Sequence, residues 1–435
     1  MREMKDSGIE WIGKIPSDWT VSKITHILDL THPYAIGDGD HGIIKADDYT
    51  DDGIPYIRVN NLGWATELQL SNVVYITQQQ NELIKSSTLK PDDILFAKTG
   101  ATIGKTAIIP KSVAIANTTS HVGKISVSRE HCAKFFYYVL SSYIGYKQFW
   151  DFASLKTTRP ELSIDEIKQT ILISPTSYAE QKAISDHLDL KCKECDTLVI
   201  DIQSQIEALE EYKRSVITEA VTKGLDPDVE MRDSGVQWIG MMPTHWDCQR
   251  GKYILRYVQK PVRDDDGVIT CFRDGEVTLR SNRREEGFTM ADKEIGYQGI
   301  DAGDLVVHGM DGFAGAIGIS DSRGKASPVL NVLETEQNKR YIMYYLRSMA
   351  YNAVFVALAT GIRVRSCDLR WNKLAELLYP MPPVEEQQAI VEHIDSVLER
   401  TNAIIADKKQ QIETIEEYKK SLIFEYVTGK KEVQA

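Results

Sequence analysis

The sequence predicts an α+β fold in which two mainly β-rich variable domains are separated by a pair of long antiparallel helices. Two observations predict it. The stretch 180–224 recurs without a gap as 386–430, at a constant offset of 206 residues. The regions outside these copies instead contain short apolar runs broken by Gly, Asp and Asn. A gapless match this long indicates an internal duplication, so we expect a pseudo-twofold repeat.

Each copy of the repeat is predicted to be one long helix. Its apolar residues recur at alternating steps of four and three, which is typical of a coiled-coil seam and not of a strand. In the first copy these residues are Leu188, Cys192, Cys195, Val199, Ile202, Ile206 and Leu209. At about 1.5 Å per residue such a helix spans on the order of 68 Å. The first helix is predicted to end at Lys223-Gly224, with Pro227 shortly beyond, which is a normal helix stop. The nearest partner for the seam is the other copy, which predicts an antiparallel coiled-coil spacer.

A short lead-in segment precedes each variable domain. Residues 4–19 and 231–246 share nine of sixteen positions, including both tryptophans at Trp11/Trp238 and Trp19/Trp246. We expect these tryptophans to pack on a neighbouring element. The predicted organisation is a lead-in (1–19), a first variable domain (20–177), a central helix (178–230), a second lead-in (231–246), a second variable domain (247–383) and a distal helix (384–435).

The two variable domains read mainly as strands. In the first domain the predicted strands are Pro55–Val59, Val73–Ile76, Ile94–Ala97, Thr106–Ile109 and Val122–Val127. In the second, residues 304–308 form a strand that is followed by a Gly-rich turn. Matches such as Gly104 with Gly315 and Leu140 with Leu346 indicate that the two domains are diverged copies.

The net charge of −12 lies mostly on the helices. Residues 178–230 hold six basic and thirteen acidic side chains, and residues 384–435 hold seven and eleven. The two variable domains are close to neutral, so each can present a basic face. The acidic total therefore does not exclude DNA as a partner.

Composition favours a globular chain in a reducing compartment. The six cysteines are too few and too scattered for a disulfide framework, and the Cys192–Cys195 pair falls on the apolar seam with no second pair to complete a zinc site. No apolar run approaches the length of a membrane span, and the charged first residues do not resemble a signal peptide. These features predict a cytoplasmic location and no membrane partner.

No motif predicts catalysis or a bound metal in this chain. Residues 100–106 read GATIGKT, but a phosphate-binding loop needs four residues between its glycines and here there are three. A tight turn between two strands explains the same residues. Pro91-Asp92-Asp93 does not complete a nuclease core, and neither His187 nor His393 has neighbours for a metal site or a catalytic triad.

The order and duplication of these stretches resemble the DNA-specificity subunits of type I restriction-modification systems. The resemblance covers essentially the full length. It rests on DSGIEWIG and DSGVQWIG, on PYIRVNNL (55–62) and DILFAKTGATIGKTAII (93–109), and on AEQKAI and EEQQAI followed by EEYKRS and EEYKKS. It implies that the variable domains are target-recognition domains, each reading half of a split site in double-stranded DNA.

The resemblance also implies the partners and their chemistry. Two methyltransferase subunits would bind the helical regions, and restriction subunits would join the complex. S-adenosylmethionine, ATP and magnesium would be used by these partners, so this chain is expected to have no cofactor and no catalytic residue. Two alternatives stay open at this point, a self-sufficient DNA-modifying enzyme and a coiled-coil scaffold that does not bind DNA. Binding of S-adenosylmethionine and a gel-shift with specific DNA would separate them.

Basic and amide side chains in the loops of both domains are the expected DNA contacts, because Arg and Lys bind phosphates or guanine and Asn pairs with adenine. In the first domain they are Arg58, Asn60, Asn61, Lys98, Lys105, Lys156, Thr157, Thr158 and Arg159. In the second they are Arg273, Arg280, Arg283, Arg284, Lys325, Arg363 and Arg365. The second domain has thirteen arginines and the first has three. This difference predicts that the half-site read by the second domain is richer in guanine than the other half-site.

Surface residues repeated on the two helices are the expected docking positions for the two methyltransferase subunits. They are Glu180/Glu386, Gln181/Gln387, His187/His393, Tyr212/Tyr418 and Lys213/Lys419. Repetition from a recent duplication alone is the competing explanation.

Overall fold

A computed structural model describes residues 2–155, 160–283, 294–358 and 369–433. The chain divides into two compact units. The first unit comprises residues 1–201 and 410–435, and the second comprises residues 202–409. Each long helix therefore contributes one part to each unit. No helix among the described residues is long and apolar enough to cross a membrane.

The first unit contains the lead-in hairpin, the first variable domain and parts of both long helices. Its strands are β1 (Met4–Asp6), β2 (Lys14–Pro16), β3 (Thr20–Lys23), β4 (Ile36–Asp38), β5 (Ile54–Ile57), β6 (Val74–Ile76), β7 (Ile94–Ala97), β8 (Thr106–Ile108), β9 (Asn117–Thr118), β10 (Val122–Ile125) and β11 (Ile171–Ser174). Its helices are α1 (Gln78–Leu83), α2 (Ala133–Ser141), α3 (Tyr143–Ser154), α4 (Ile164–Lys168) and the first part of α5 (Tyr178–Lys223).

The second unit repeats this order. Its strands are β12 (Met231–Asp233), β13 (Met241–Pro243), β14 (Asp247–Arg250), β15 (Arg256–Val258), β16 (Ile269–Cys271), β17 (Val277–Leu279), β18 (Gln298–Ile300), β19 (Leu305–His308), β20 (Ile317–Ile319), β21 (Gly324–Ala326), β22 (Leu330–Glu334) and β23 (Leu378–Met381). Its helices are α6 (Gly251–Ile254), α7 (Lys339–Tyr351), α8 (Val354–Ala357), α9 (Trp371–Leu374) and the first part of α10 (Val384–Val427).

Both units contain the same antiparallel four-stranded sheet. Its order is β4-β10-β7-β8 in the first unit and β15-β22-β19-β20 in the second. The strand after the lead-in pairs with the strand before the long helix in both units, as β3 with β11 and β14 with β23. The units differ in their additional strands, which form a three-stranded sheet, β6-β5-β9, in the first and two two-stranded sheets, β16-β17 and β18-β21, in the second. The predicted duplication is thus present in the strand order.

The two long helices run antiparallel, as predicted. Within the first unit, Lys419 donates to Asp196 at 2.7 Å, and the rings of His187 and Tyr426 lie 4.6 Å apart. Higher numbers on one helix therefore meet lower numbers on the other. Within the second unit, Lys408 donates to Gln205 at 2.5 Å, in the same sense. Leu188, Cys192, Cys195 and Ile206 of the predicted seam are buried.

The end of α5 follows the predicted stop signal. The helix ends at Lys223, and Gly224 has φ of +77°, in the left-handed region where a side chain would be strained. A Cβ there would also lie 3.3 Å from the indole of Trp246. The lead-in thus packs closely on the end of the helix.

The core of each unit joins the lead-in to the variable domain and to the long helices. Trp19 and Trp246 are fully buried, as predicted for the lead-in tryptophans. Trp19 packs in one cluster with Phe135 of α2 and Leu188 of α5, and Trp246 packs in the corresponding cluster of the second unit. Helix α2 was not predicted. Its run of Phe135, Phe136, Tyr137, Tyr138 and Val139 is buried throughout, so it lacks the polar face that reveals a helix.

Candidate nucleic-acid interface

A short turn joins the last two strands of the four-stranded sheet in each unit. In the first unit it joins β7 to β8 through a short 3-10 turn at Gly100–Thr102. The turn therefore connects two antiparallel strands, which agrees with the tight-turn interpretation of GATIGKT and gives no helix N-terminus to hold a phosphate. In the second unit the corresponding turn joins β19 to β20 through a 3-10 turn at Gly312–Ala314.

Two lysines flank the β7-β8 turn, but they differ in exposure. The side chain of Lys98 is buried and pairs with Asp38. His41 lies 3.1 Å from the same carboxylate. Lys105 is half-buried, and among the described residues it forms hydrogen bonds through its backbone only. We therefore keep Lys105 as a predicted DNA contact and assign Lys98 to holding the base of the turn.

The loop after β5 contains three predicted contacts. Asn61 is fully buried. Its side chain accepts from the Arg58 amide at 2.8 Å and donates to the Gln69 carbonyl at 2.8 Å. These bonds occupy the groups that would pair with adenine, so we remove Asn61 from the proposed base contacts. Arg58 is half-buried against the ring of Tyr49, and Asn60 is exposed at the tip of the loop.

An exposed aromatic group beside the same turn was missed from the sequence. Trp64, Tyr146 and Trp150 are each more than a third exposed. The rings of Tyr146 and Trp150 stack with centroids 6.4 Å apart, and Trp64 meets Tyr146 edge-on at 5.9 Å. A Cβ on Gly104 would come within 2.6 Å of Tyr146, so these rings lie directly on the turn. The i, i+4 spacing of Tyr146 and Trp150 was the available signal.

Two predicted arginines of the second unit are held by acidic groups. Arg273 is exposed, and one Nη donates to Asp311 at 2.9 Å. Arg283 lies 2.8 Å from Asp274 and 2.9 Å from Glu276, with its guanidinium over the ring of Phe272. The guanidinium of Arg283 is thus restrained from three sides.

The remaining predicted contacts of the second unit are less exposed or lie outside the described residues. The Nε of Arg280 donates to Thr270 at 3.2 Å, and Lys325 pairs with Glu294 at 2.7 Å. Several of the thirteen arginines of the second variable domain stabilise the fold instead of facing DNA. Arg323, for example, donates to Asp266 and Asp301. The count therefore overstates the number available to DNA. Predicted residues outside the described ranges are Lys156, Thr157, Thr158, Arg159, Arg284, Arg363 and Arg365.

Two of the repeated helix positions hold each unit together internally. Glu180 accepts from the indole of Trp19 at 3.1 Å, and Glu386 accepts from that of Trp246 at the same distance. Gln181 and Gln387 are fully buried. Gln181 accepts from the backbone amide of Cys132 just before α2, and Gln387 accepts from that of Asn338 just before α7. Repetition at these four positions is explained by the fold, and we remove them from the proposed docking surface.

Of the other repeated positions, the tyrosines alone are well exposed in both copies. Tyr212 is 52% exposed and Tyr418 is 54% exposed. Lys419 is buried against Asp196, whereas Lys213 pairs with Glu210 of its own helix at 2.9 Å. His393 is exposed, but His187 packs on Tyr426. A docking surface shared by both copies would therefore be centred on Tyr212 and Tyr418.

The first unit also contains a groove of about 2710 Å³ between α2, α5 and α10. Tyr137 and Tyr138 line one side, and Val199, Ile200 and Ile415 line the helix side. Sites for small molecules have volumes of roughly 300–1,000 Å³, so this groove exceeds the range for a small ligand. Its size and mixed lining suit a polypeptide segment.

The buried ionisable groups of the first unit form a structural cluster. Lys124 is fully buried and donates to the Thr88 carbonyl at 2.7 Å, and burial lowers its pKa. Burial raises the pKa of Asp93, which accepts from Ser126 at 2.6 Å. Among the described residues, no group of three or more His, Cys, Asp or Glu side chains could hold a metal ion. The cysteines that the structure describes are free thiols.

Comparison with known proteins identifies the family of this duplicated chain. The family model described as the type I restriction modification DNA specificity domain matches residues 16–208 and 300–414. The chain belongs to this family. The match falls on both recognition domains and on both long helices, so the family covers each half of the duplication.

Relatives and a solved structure agree with the family. The chain is 21% identical over 438 residues to a protein of Methanocaldococcus jannaschii named as a type I restriction enzyme MjaX specificity subunit, with 96% of this chain and 95% of the relative covered. It is 24% identical over 208 residues to the EcoBI specificity subunit of Escherichia coli, covering 47% and 42%. A chain from a structure of type I R-M complex assembly and conformational transition matches with a TM-score of 0.65, at 12% identity and 95% and 99% coverage. This last likeness concerns the fold.

Proposed function

We propose that this chain reads a bipartite target in double-stranded DNA and assembles two methyltransferase subunits around it. The observation that carries the proposal is the duplication itself. Each unit has its own four-stranded sheet of the same strand order, but the additional strands and the turns differ between the units in number and in sequence. A duplicated frame with different loops is suited to reading two different half-sites.

Exposed groups near the hairpin turns supply the proposed DNA contacts. They are Asn60 in the first unit and Arg273 in the second, with Lys105, Arg58, Arg280, Arg283 and Lys325 as less exposed neighbours. Lysine and arginine bind phosphates, and arginine also binds guanine edges through two parallel hydrogen bonds. Aromatic rings can stack on unpaired bases or wedge between base steps, so Trp64, Tyr146 and Trp150 are added to this surface.

The partners in this proposal supply the chemistry. A methyltransferase subunit would use S-adenosylmethionine, and a restriction subunit would use ATP and magnesium. Tyr212 and Tyr418 present the same exposed ring twice, which supports two copies of one partner related by a pseudo-dyad. The groove of the first unit is large enough for a helix of a partner.

The test is to co-express the chain with its methyltransferase partner and to sequence the methylated DNA. We expect a motif of two specified halves separated by unspecified bases, and native mass measurement should give two partners per chain. The purified chain alone should not methylate DNA, with or without S-adenosylmethionine. A motif with one half, or saturation by a single partner, would contradict the proposal.

A further inference from the structure

The turn between β19 and β20 is built around one histidine. The Nδ1 atom of His308 accepts from the backbone amide of Asp311 at 2.9 Å and from that of Met310 at 3.2 Å. The carbonyl of Asp311 in turn accepts from the amide of Ala314 at 2.9 Å. These bonds fix the backbone of Asp311, so its carboxylate projects from a defined position. They also require an unprotonated Nδ1, and burial lowers the pKa of His308.

The carboxylate fixed in this way holds Arg273. The Oδ1 of Asp311 accepts from one Nη of Arg273 at 2.9 Å, and the arginine side chain remains 64% exposed. Among the predicted contacts of this unit that the structure describes, Arg273 is the most exposed, because Arg283 is 36% and Lys325 is 18% exposed. One edge of the guanidinium is thus restrained by the protein while the rest faces outward.

An arginine restrained on one side is suited to bidentate recognition. The guanidinium presents five N–H donors in a rigid fork, and two of them match the O6 and N7 acceptors of guanine. A flexible arginine loses conformational entropy when it makes this contact, whereas one that is already oriented loses less. Asp311 also lowers the net positive charge, which disfavours attachment of Arg273 to phosphate. The arrangement therefore favours a base over the backbone.

We propose that Arg273 reads a guanine in the half-site of the second unit, with Asp311 and His308 as the residues that position it. This inference rests on the proposed function, because it names the base that one residue of that surface recognises. In the first unit the position that corresponds to His308 is Ala97, and Lys98 is buried against Asp38, so the first half-site is read by other groups.

The experiment measures binding of the chain with its methyltransferase partner to duplexes that carry the methylated motif. Each guanine of the second half-site is replaced by adenine in turn, at one salt concentration. Arg273→Lys should lower discrimination at one guanine by roughly fivefold to 150-fold, the range of a bidentate base contact, and leave other positions unchanged. Asp311→Asn should lower discrimination at the same guanine while raising affinity for unrelated DNA, because one negative charge is removed.

Matched variants separate positioning from folding. Asp274→Asn makes the same charge change beside Arg283, so it should raise affinity for unrelated DNA without changing discrimination at that guanine. His308→Asn can keep an acceptor for the two amides and should retain discrimination, whereas His308→Ala should lose it. Loss of binding by the same factor on every duplex in Asp311→Asn would make Asp311 a purely structural residue and overturn the inference.

The outcomes also separate this inference from the proposed function. A wild-type complex with a bipartite motif but no guanine in the second half-site, or unchanged discrimination in Arg273→Lys, would overturn the inference and leave the function standing. A wild-type complex without any sequence preference would refute the function and this inference together.

Discussion

Replacing Glu180 tests whether the repeated start of each long helix serves the fold or a partner. Glu180 accepts from the buried indole N–H of Trp19, and Glu386 does the same for Trp246. In Glu180→Leu the indole N–H loses its acceptor while it stays buried. An unsatisfied buried donor costs about 1–3 kcal/mol. Glu180→Gln keeps an acceptor oxygen and should cost much less, although it weakens the ion pair with Arg2 at 2.5 Å.

Hydrogen exchange of the β1-β2 hairpin is the direct assay, because this hairpin leads into Trp19. Protection of its paired amides, such as that of Ser17, which donates to Glu3, should fall by roughly fivefold to 150-fold in Glu180→Leu. Protection of the β12-β13 hairpin should not change. The matched variant Glu386→Leu should give the reverse pattern. Binding of two methyltransferase subunits should survive in both variants.

Two results would refute this reasoning. Unchanged exchange in the β1-β2 hairpin would show that the indole bond contributes nothing to local stability. Loss of partner binding in Glu180→Leu with normal hairpin protection would return Glu180 to the docking surface.

Three further predictions concern the helices and the base of the turn. Replacing Tyr418 by Glu should lower binding of one methyltransferase subunit without a change in melting temperature, and replacing Tyr212 as well should lower binding of both. Native mass measurement gives the number of bound subunits. Unchanged binding would exclude these rings from the docking surface. Inserting four residues after Ser204 lengthens α5 by about 6 Å. Because B-DNA rises about 3.4 Å per base pair, the unspecified gap in the methylated motif should grow by one or two base pairs. A variant that methylates DNA with the original gap would contradict a spacer role. Asp38→Ala leaves Lys98 buried without its partner and should destabilise the first unit by about 3–5 kcal/mol, whereas Lys98→Met should cost less, as thermal unfolding can measure.

Much of the fold could be predicted from the sequence, because the helices, several strands and the duplication depend on local periodicity and on repetition. The four-three spacing of the seam indicated both helices, and the stop at Lys223 and Gly224 was placed correctly from residue type alone. The predicted strand at residues 94–97 has the observed bounds. In contrast, α2 was missed, since aromatic residues that are buried on every side carry no helical period.

The candidate site was less predictable because residue type does not report burial. Asn61 and Lys98 have the chemistry of DNA contacts, yet the structure buries both and uses their polar groups within the fold. Repetition was equally ambiguous at Gln181 and Gln387, because a duplicated internal bond is repeated as faithfully as a duplicated docking surface.

The sequence by itself determined the duplication, the two helices and the kind of chemistry that the loops offer, because these follow from composition and from spacing along the chain. The tertiary structure alone decided which of those side chains are available. It joined Arg273 to Asp311, 38 positions further along the chain, and buried Lys419 while leaving its counterpart Lys213 paired within its own helix. Availability depends on which distant segments pack together, and that information resides in the whole fold and not in any local pattern.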